Sequence, residues 1–384
     1  MQRHYGLDWL RIGAFAILIL YHIGMVFVPW GFHAKLAQLD WVTVPMMASN
    51  PWRLSLLFVV SGYASRALFR RSSGTKAFAG NRTLRLLVPL VFGMAVVVPP
   101  QPWVELVTQH GYRASFLHFW WHDYFRFGKF GGLDLPTWNH LWFVAYLWLY
   151  TMLFTALVAV TPRRVRAGAQ RLFGRLFGGW GGFVLPTAWL MIVSAVLFPG
   201  ARETHALFGD WVAHATYFPA FLFGFAMAGN ERVLAGFARW WKVSAALAVL
   251  AYLVVAGVQI AFAGQRFTPP PWGMVFSLAR GVEGWMAIAA LIGVAETFWN
   301  QDHRWRPMLT EAVFPFYLIH QTVIVVVAYW LMPATLPGWA EFAILVATTV
   351  AGCWAFYLVG RRVRVLRPLI GLRSHVTARR PAAI

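Results

Sequence analysis

The sequence predicts an all-α, polytopic integral membrane protein with about ten transmembrane helices and both termini in the cytoplasm. Three observations carry that prediction. Of 384 residues, 59% are hydrophobic and only 12% charged, with Lys and Arg outnumbering Asp and Glu by 33 to 13; this lies outside the balance of a soluble domain. Apolar runs long enough to cross a hydrocarbon core of roughly 30 Å recur along the whole length. The basic residues gather in alternate connections between those runs, as the positive-inside rule requires of cytoplasmic loops.

The spans fall at about 7–29, 52–70, 83–99, 140–160, 183–199, 212–228, 243–263, 279–297, 313–332 and 340–360. The first follows Arg3, as a secretory signal would. It is too long and too interrupted by charge for one, and no small-residue cleavage site follows, so it reads as a retained helix. The third is expected to stop at Pro99 and Pro100, and the fifth to open at Gly181, Gly182 and Pro186. One side of the chain carries Arg70, Arg71, Lys76 and Arg82, then Arg163, Arg164, Arg166, Arg171 and Arg175, then Arg232, Arg239 and Lys242, then Arg304 and Arg306. The opposite connections hold only Lys35, Arg113, Arg126, Lys129, Arg202, Arg266 and a few like them. Residues 1–365 form the membrane domain on this reading. Residues 366–384, with Arg367, Arg373, Arg379 and Arg380, form a basic cytoplasmic tail without fixed structure.

The net charge of +20 does not point to nucleic acid. Its distribution follows topology, and no soluble basic groove with stacking aromatics accompanies it. The single cysteine, Cys353, lies inside a span and excludes an internal disulfide. The longest outer connection, about 100–139, contains FLHFWWHDYFRFGKF. Its aromatics suit either an interfacial belt at headgroup level or stacking on a sugar.

The first span carries Asp8, Arg11 and His22. Arg11 and His22 are three helical turns apart, so they fall within roughly 20° of one face, and Asp8 lies about 40° from His22. Ionisable groups at such depth are costly and face a bundle interior or a water-filled path. Imidazole titrates near neutrality, so His22 can take a proton from a hydroxyl or carry a transferred group. A structural histidine bonded to a backbone carbonyl is the alternative.

Four further stretches stand out. In FVVSGY, Gly62 permits close helix approach, and Ser61 and Tyr63 can hydrogen-bond across a bundle. In NRTLRLLVPL, Arg82 and Arg85 share a helix face, expected near the helix N-terminus, where both side chains and backbone suit a phosphate. HLWF brings His140 and Trp142 to the head of the fourth span, and FYLIH puts Tyr317 and His320 mid-membrane in the ninth. No H-E-x-x-H, cysteine pair or i, i+4 histidine pair marks a metal site. His22 and His320 are the one pair that could ligate a haem axially.

Taken in order, Arg11 and His22, FVVSGY, the arginine-bearing start of the third span, HLWF and FYLIH resemble the membrane-bound acyltransferase family 3. Within it the sequence is most similar to the branch of periplasmic glucan succinyltransferases. The resemblance covers nearly the whole chain. It implies that His22 is catalytic with Arg11 required and Asp8 beside it. It also implies that Arg82 and Arg85, with Ser61 and Tyr63, serve the acyl donor. His140, Trp142, Tyr317 and His320 become acceptor or supporting positions. The glutamate that many sugar O-acetylating members carry after the fourth-span tryptophan is absent from WFVAYLWLY.

The expected activity is O-acyl transfer from cytoplasmic acyl-CoA, used as a co-substrate with no bound cofactor, to a carbohydrate hydroxyl at the outer face of a bacterial inner membrane. The expected partners are acyl-CoA, the carbohydrate and membrane lipid, with no nucleic acid. A transporter for an anionic solute and a non-catalytic polysaccharide-export scaffold are the rival readings. The inverted repeat that would favour a transporter is not apparent.

Overall fold

The computed structural model describes residues 4–263, 265 and 268–373. Arg266, Arg379, Arg380 and the expected tail from residue 374 onward lie outside the described residues. Helices stand at every expected span position. They are α1 (Tyr5–Gly24), α2 (Arg53–Arg71), α3 (Thr75–Phe92), α4 (Pro100–Gln109), α5 (Trp142–Val160), α6 (Arg163–Phe177), α7 (Gly181–Ile192), α8 (Trp211–Met227), α9 (Glu231–Ala261), α10 (Pro270–Phe298), α11 (Arg306–Leu331), α12 (Gly338–Arg362) and the short α13 (Leu366–Leu369).

Among the described residues, seven helices are long and apolar enough to cross a membrane, and an eighth is added if α6 and the Gly181–Leu197 helix form one bent span. The remaining two fall short for physical reasons. Helix α2 carries Arg53, Arg66, Arg70 and Arg71, and α8 has only 17 residues.

Three local expectations are corrected. First, the third span does not end at Pro99–Pro100. The chain runs through Pro89 and a π-turn at Gly93–Val97 into α4, one apolar helical run over Thr75–Gln109. Pro100 sits at the first position of α4, where the missing N–H would have had no intrahelical partner anyway. Second, residues 100–139 are folded rather than a loop. After α4 comes an antiparallel hairpin of β1 (Gly128–Phe130) and β2 (Leu133–Leu135). Leu106, Phe119, Tyr124 and Leu135 are buried together there, while Trp121 and Phe127 stay exposed. The Tyr124 hydroxyl, donating to Met94 O, ties this cap to the π-turn. Third, ordered structure continues past 365. Helix α13 follows, and buried Arg367 donates to Arg361 O and Arg373 O.

Two compact units share the chain. One comprises Met1–Trp30, Gln38–Gly80 and Tyr146–Thr310; the other comprises Gly31–Ala37, Asn81–Ala145 and Glu311–Ile384. In the first, α9 and α10 form a long helical hairpin and α1 packs on α10. Helix α2 crosses α8 in close backbone contact at Gly62 and Gly224. A Cβ on Gly62 would overlap Phe221 O, and one on Gly224 would overlap Val59 O. This is the close approach that FVVSGY implies. In the second unit α4 meets the latter half of α11, with Trp103 edge-on to Tyr329 and Gln101 bonded to Thr322.

Candidate active site

In the first unit, α1 presents its ionisable residues in two levels. At the lower level, Arg11 Nη2 stands 3.9 Å from Asp8 Oδ1, one turn away. Asp8 Oδ2 also accepts from Arg306 Nη1 at 2.9 Å, and Arg306 Nε donates to Asp302 at 2.6 Å. The Arg306 guanidinium covers the Tyr5 ring at 4.8 Å. Asp8 and Arg11 are therefore fixed by an ionic network that ties the start of α1 to the chain leading into α11.

His4, just before α1, donates from Nδ1 to Glu296 at 2.7 Å, with Glu231 at 3.4 Å. That hydrogen bond raises the His4 pKa above the ordinary imidazole value, against the opposing effect of burial. A raised folded-state pKa stabilises fully below the unfolded value of about 6.5 and is lost as pH climbs through the folded value. The melting-temperature gap between wild type and His4→Gln should accordingly be widest below about pH 6.5 and narrow above it. A gap that does not change with pH would show that His4 acts through packing alone.

At the upper level, half-buried His22 sits beside buried Tyr21, with ring centroids 6.3 Å apart. Around Tyr21 lies a polar cluster that sequence reasoning missed. The Arg53 guanidinium stacks on the Tyr21 ring at 3.3 Å. Asn50 Nδ2 donates to the Tyr21 hydroxyl at 2.6 Å, and Asn50 Oδ1 accepts from Arg280 Nη2 at 3.0 Å. Glu283 is 1% exposed, and neither of its carboxylate oxygens nor Arg53 Nε and Nη1 has a hydrogen-bond partner among the described residues. Burying charged groups without hydrogen-bond partners is costly. The missed signal was present: Arg280 and Glu283 are charges inside an expected span.

Ser61 and Tyr63 are separated by about 200° around α2, so they face different sides. Tyr63 packs edge-on against His4, with centroids 6.2 Å apart.

In the second unit, His140 and His320 come together with ring centroids 5.0 Å apart. His140 Nε2–H donates to Leu318 O at 3.2 Å, leaving Nδ1 to accept from Gln101 Nε2 at 3.4 Å. His320 Nδ1–H donates to Tyr317 O at 2.7 Å, which puts its lone pair on Nε2. The Tyr317 hydroxyl donates to His140 O. Fully buried Gln101, also missed, joins the set by bonding Thr322 at 2.7 Å and accepting from Asn139 and Gln321 at 3.0 Å each. Trp142 is buried at the head of α5.

Arg82 and Arg85 are half-buried on α3, but the expected helix start is wrong. The helix begins at Thr75, directly after Gly74 at φ +146°, so both arginines lie two to three turns inside it. Backbone N–H groups there are already bonded within the helix, and only the side chains remain to meet an anion.

A family model described as "Acyltransferase domain" matches residues 4–358. The chain is 28% identical over 153 residues to "Glucans biosynthesis protein C" of Escherichia coli K12, covering 40% of this chain and 38% of the relative. The proteins of the same name from E. coli SMS-3-5 and from E. coli O1:K1 / APEC match with the same identity and coverage. The alignment thus spans well under half the length of these relatives. No solved structure matches.

Proposed function

For a chain that belongs to the acyltransferase family and is an acyltransferase, we propose O-acyl transfer from cytoplasmic acyl-CoA to a carbohydrate hydroxyl at the outer face of the bacterial inner membrane. The observation that carries this reading is the line of Asp8, Arg11 and His22 on α1, its lower end fixed by Arg306. The similarity to "Glucans biosynthesis protein C" supports a glucan or related carbohydrate as acceptor. Ten spans with both termini on the basic, cytoplasmic side complete the reading.

His22 takes the acceptor's hydroxyl proton as its oxygen bonds to the thioester carbonyl carbon. Collapse of the tetrahedral adduct breaks the C–S bond, and the departing thiolate takes the proton from the imidazolium. A covalent route differs only in passing the acyl group through an imidazole nitrogen first. Arg11 and Asp8 hold α1 and the local charge. Arg53 and Arg280, at the level of His22, supply fixed positive charge for the developing oxyanion. His140, His320, Tyr317 and Trp142 form a supporting or acceptor site.

Arg82 and Arg85 serve the donor's phosphates. Losing one charge-assisted contact costs roughly 1.5–3 kcal/mol, so Arg82→Ala or Arg85→Ala should raise the apparent donor KM by about 10- to 100-fold. The acceptor KM should move little. Lysine should restore only part of the loss, because it lacks the bidentate fork. Donor titrations in nanodiscs provide the check. Full rescue by lysine would reduce the pair to topogenic charge, and unchanged KM in both alanine variants would remove them from the mechanism.

A further inference from the structure

Entirely within the first unit lies a cavity of about 1040 Å³. Its walls come from α2, the end of α5, α6, α7 and α8, with one residue, Trp285, from α10. The interior is oily, formed by side chains such as Phe154, Leu157, Phe173, Phe223 and Phe225. The rim is cationic: Arg66, Arg70, Arg163 and Arg166 line it, and among the described residues no Asp or Glu does. Arg66 is propped by Gln170 at 3.3 Å and covers the Phe225 ring at 5.0 Å. Arg166 Nε is buried without a hydrogen-bond partner among the described residues.

Depth separates the possible occupants. Ser55 and Arg70 both line the cavity and stand fifteen residues apart on α2, roughly 22 Å along the axis. That exceeds half of a hydrocarbon core of roughly 30 Å. A short acyl thioester or a sugar would leave most of such an apolar sleeve empty, whereas long alkyl chains fill it. The roof is α6, a helix bent 91° from the Gly181–Leu197 helix. It carries Arg163, Arg164, Arg166, Arg171 and Arg175, the composition of a helix lying at an anionic membrane surface.

We propose that this cavity binds an anionic glycerophospholipid, its headgroup held by Arg66, Arg70, Arg163 and Arg166 and its acyl chains lying against the apolar lining of Phe154, Leu157, Phe173 and Phe223. The bound lipid pins α6 to the bundle. This site is separate from the chemistry assigned to His22 and stands whether or not that assignment holds.

The test uses full-length protein purified in detergent and stripped of lipid, with phosphatidylglycerol or phosphatidylethanolamine of identical chains added back and retention read by native mass spectrometry. Phosphatidylglycerol should be retained at least about 10-fold more. Each arginine near an anionic headgroup contributes about 1 kcal/mol, so Arg163→Gln with Arg166→Gln should cut that preference by about 10- to 30-fold. A second measurement needs no change at the rim. Trp285 is buried at 3% exposure and lines the cavity, so phosphatidylglycerol with brominated chains should quench a component of fluorescence that Trp285→Phe lacks. Equal retention of the two lipids, an unaltered preference in the double variant, quenching unchanged when both cavity tryptophans, Trp189 and Trp285, are replaced by Phe, or displacement of the lipid by free coenzyme A would each overturn the proposal.

Discussion

His22→Ala should lower acyl transfer by about 10²–10⁴-fold, the range that a positioned general base or acyl carrier contributes, while membrane abundance stays near wild type. The separation of these two readouts follows from the geometry. His22 is only half-buried, whereas the packing of α1 rests on Leu7, Leu10, Ala14 and Leu18, all buried. Removing the imidazole therefore takes little from the core. Arg11→Ala should also lose activity, but through charge rather than proton transfer, so its residual activity should keep the wild-type pH profile. Quantified ester product per unit of membrane protein distinguishes the outcomes. Activity and abundance falling together for His22→Ala would return the residue to a structural role.

The opposite pattern should come from the crossing of α2 and α8. Gly62 and Gly224 each face backbone of the other helix, with Phe221 O and Val59 O where a Cβ would stand. Backbone cannot move aside as a flexible side chain can. Overpacking a tight core costs about 1–3 kcal/mol, and Gly62→Val or Gly224→Val should fall at or beyond the upper end. Both variants should lose abundance, detergent melting temperature and activity in parallel. Gly13→Ala is the control, since among the described residues no heavy atom beyond its own helix's backbone and chain neighbours lies within 4 Å of its Cβ position; that change should be neutral or gain about 0.5–1 kcal/mol from helix propensity. Normal abundance of Gly224→Val would show that the two helices can separate without consequence.

Much of the fold was legible because bilayer physics writes it into runs of apolar residues. Helices stand at each expected span position, and the close helix approach at Gly62 followed from side-chain size alone. Helix limits were less legible. A proline pair normally marks a break, yet the π-turn at Gly93–Val97 absorbs the mismatch and carries the chain on into α4. The start of α3 was hidden because TKAFAG, lying before Asn81, is polar enough to read as loop and still forms helix. Likewise, α6 was read as a basic connection because its arginines obscured an amphipathic period.

The site was half legible. Asp8, Arg11 and His22 sit on one helix, so spacing alone relates them. The clusters built from distant segments were not legible. Nothing in the sequence joins Tyr21 to Asn50, Arg53 and Arg280, or links Gln101 with His140 and Thr322, residues up to 259 positions apart in the first case and 221 in the second. Only tertiary packing makes those contacts, and the charges of Arg280 and Glu283 were its one advance sign.

The central claim is transfer of an acyl group from a donor on the basic face to a hydroxyl on the other. Its most direct test reconstitutes the protein in oriented proteoliposomes with isotope-labelled acyl-CoA on one side and glucan on the other, followed by mass spectrometry of the glucan. The account predicts labelled ester on the glucan only when the donor contacts the face bearing the 163–175 arginines, and none with His22→Ala. Unmodified glucan in the presence of folded protein and donor, or ester formed equally from either face, would contradict it.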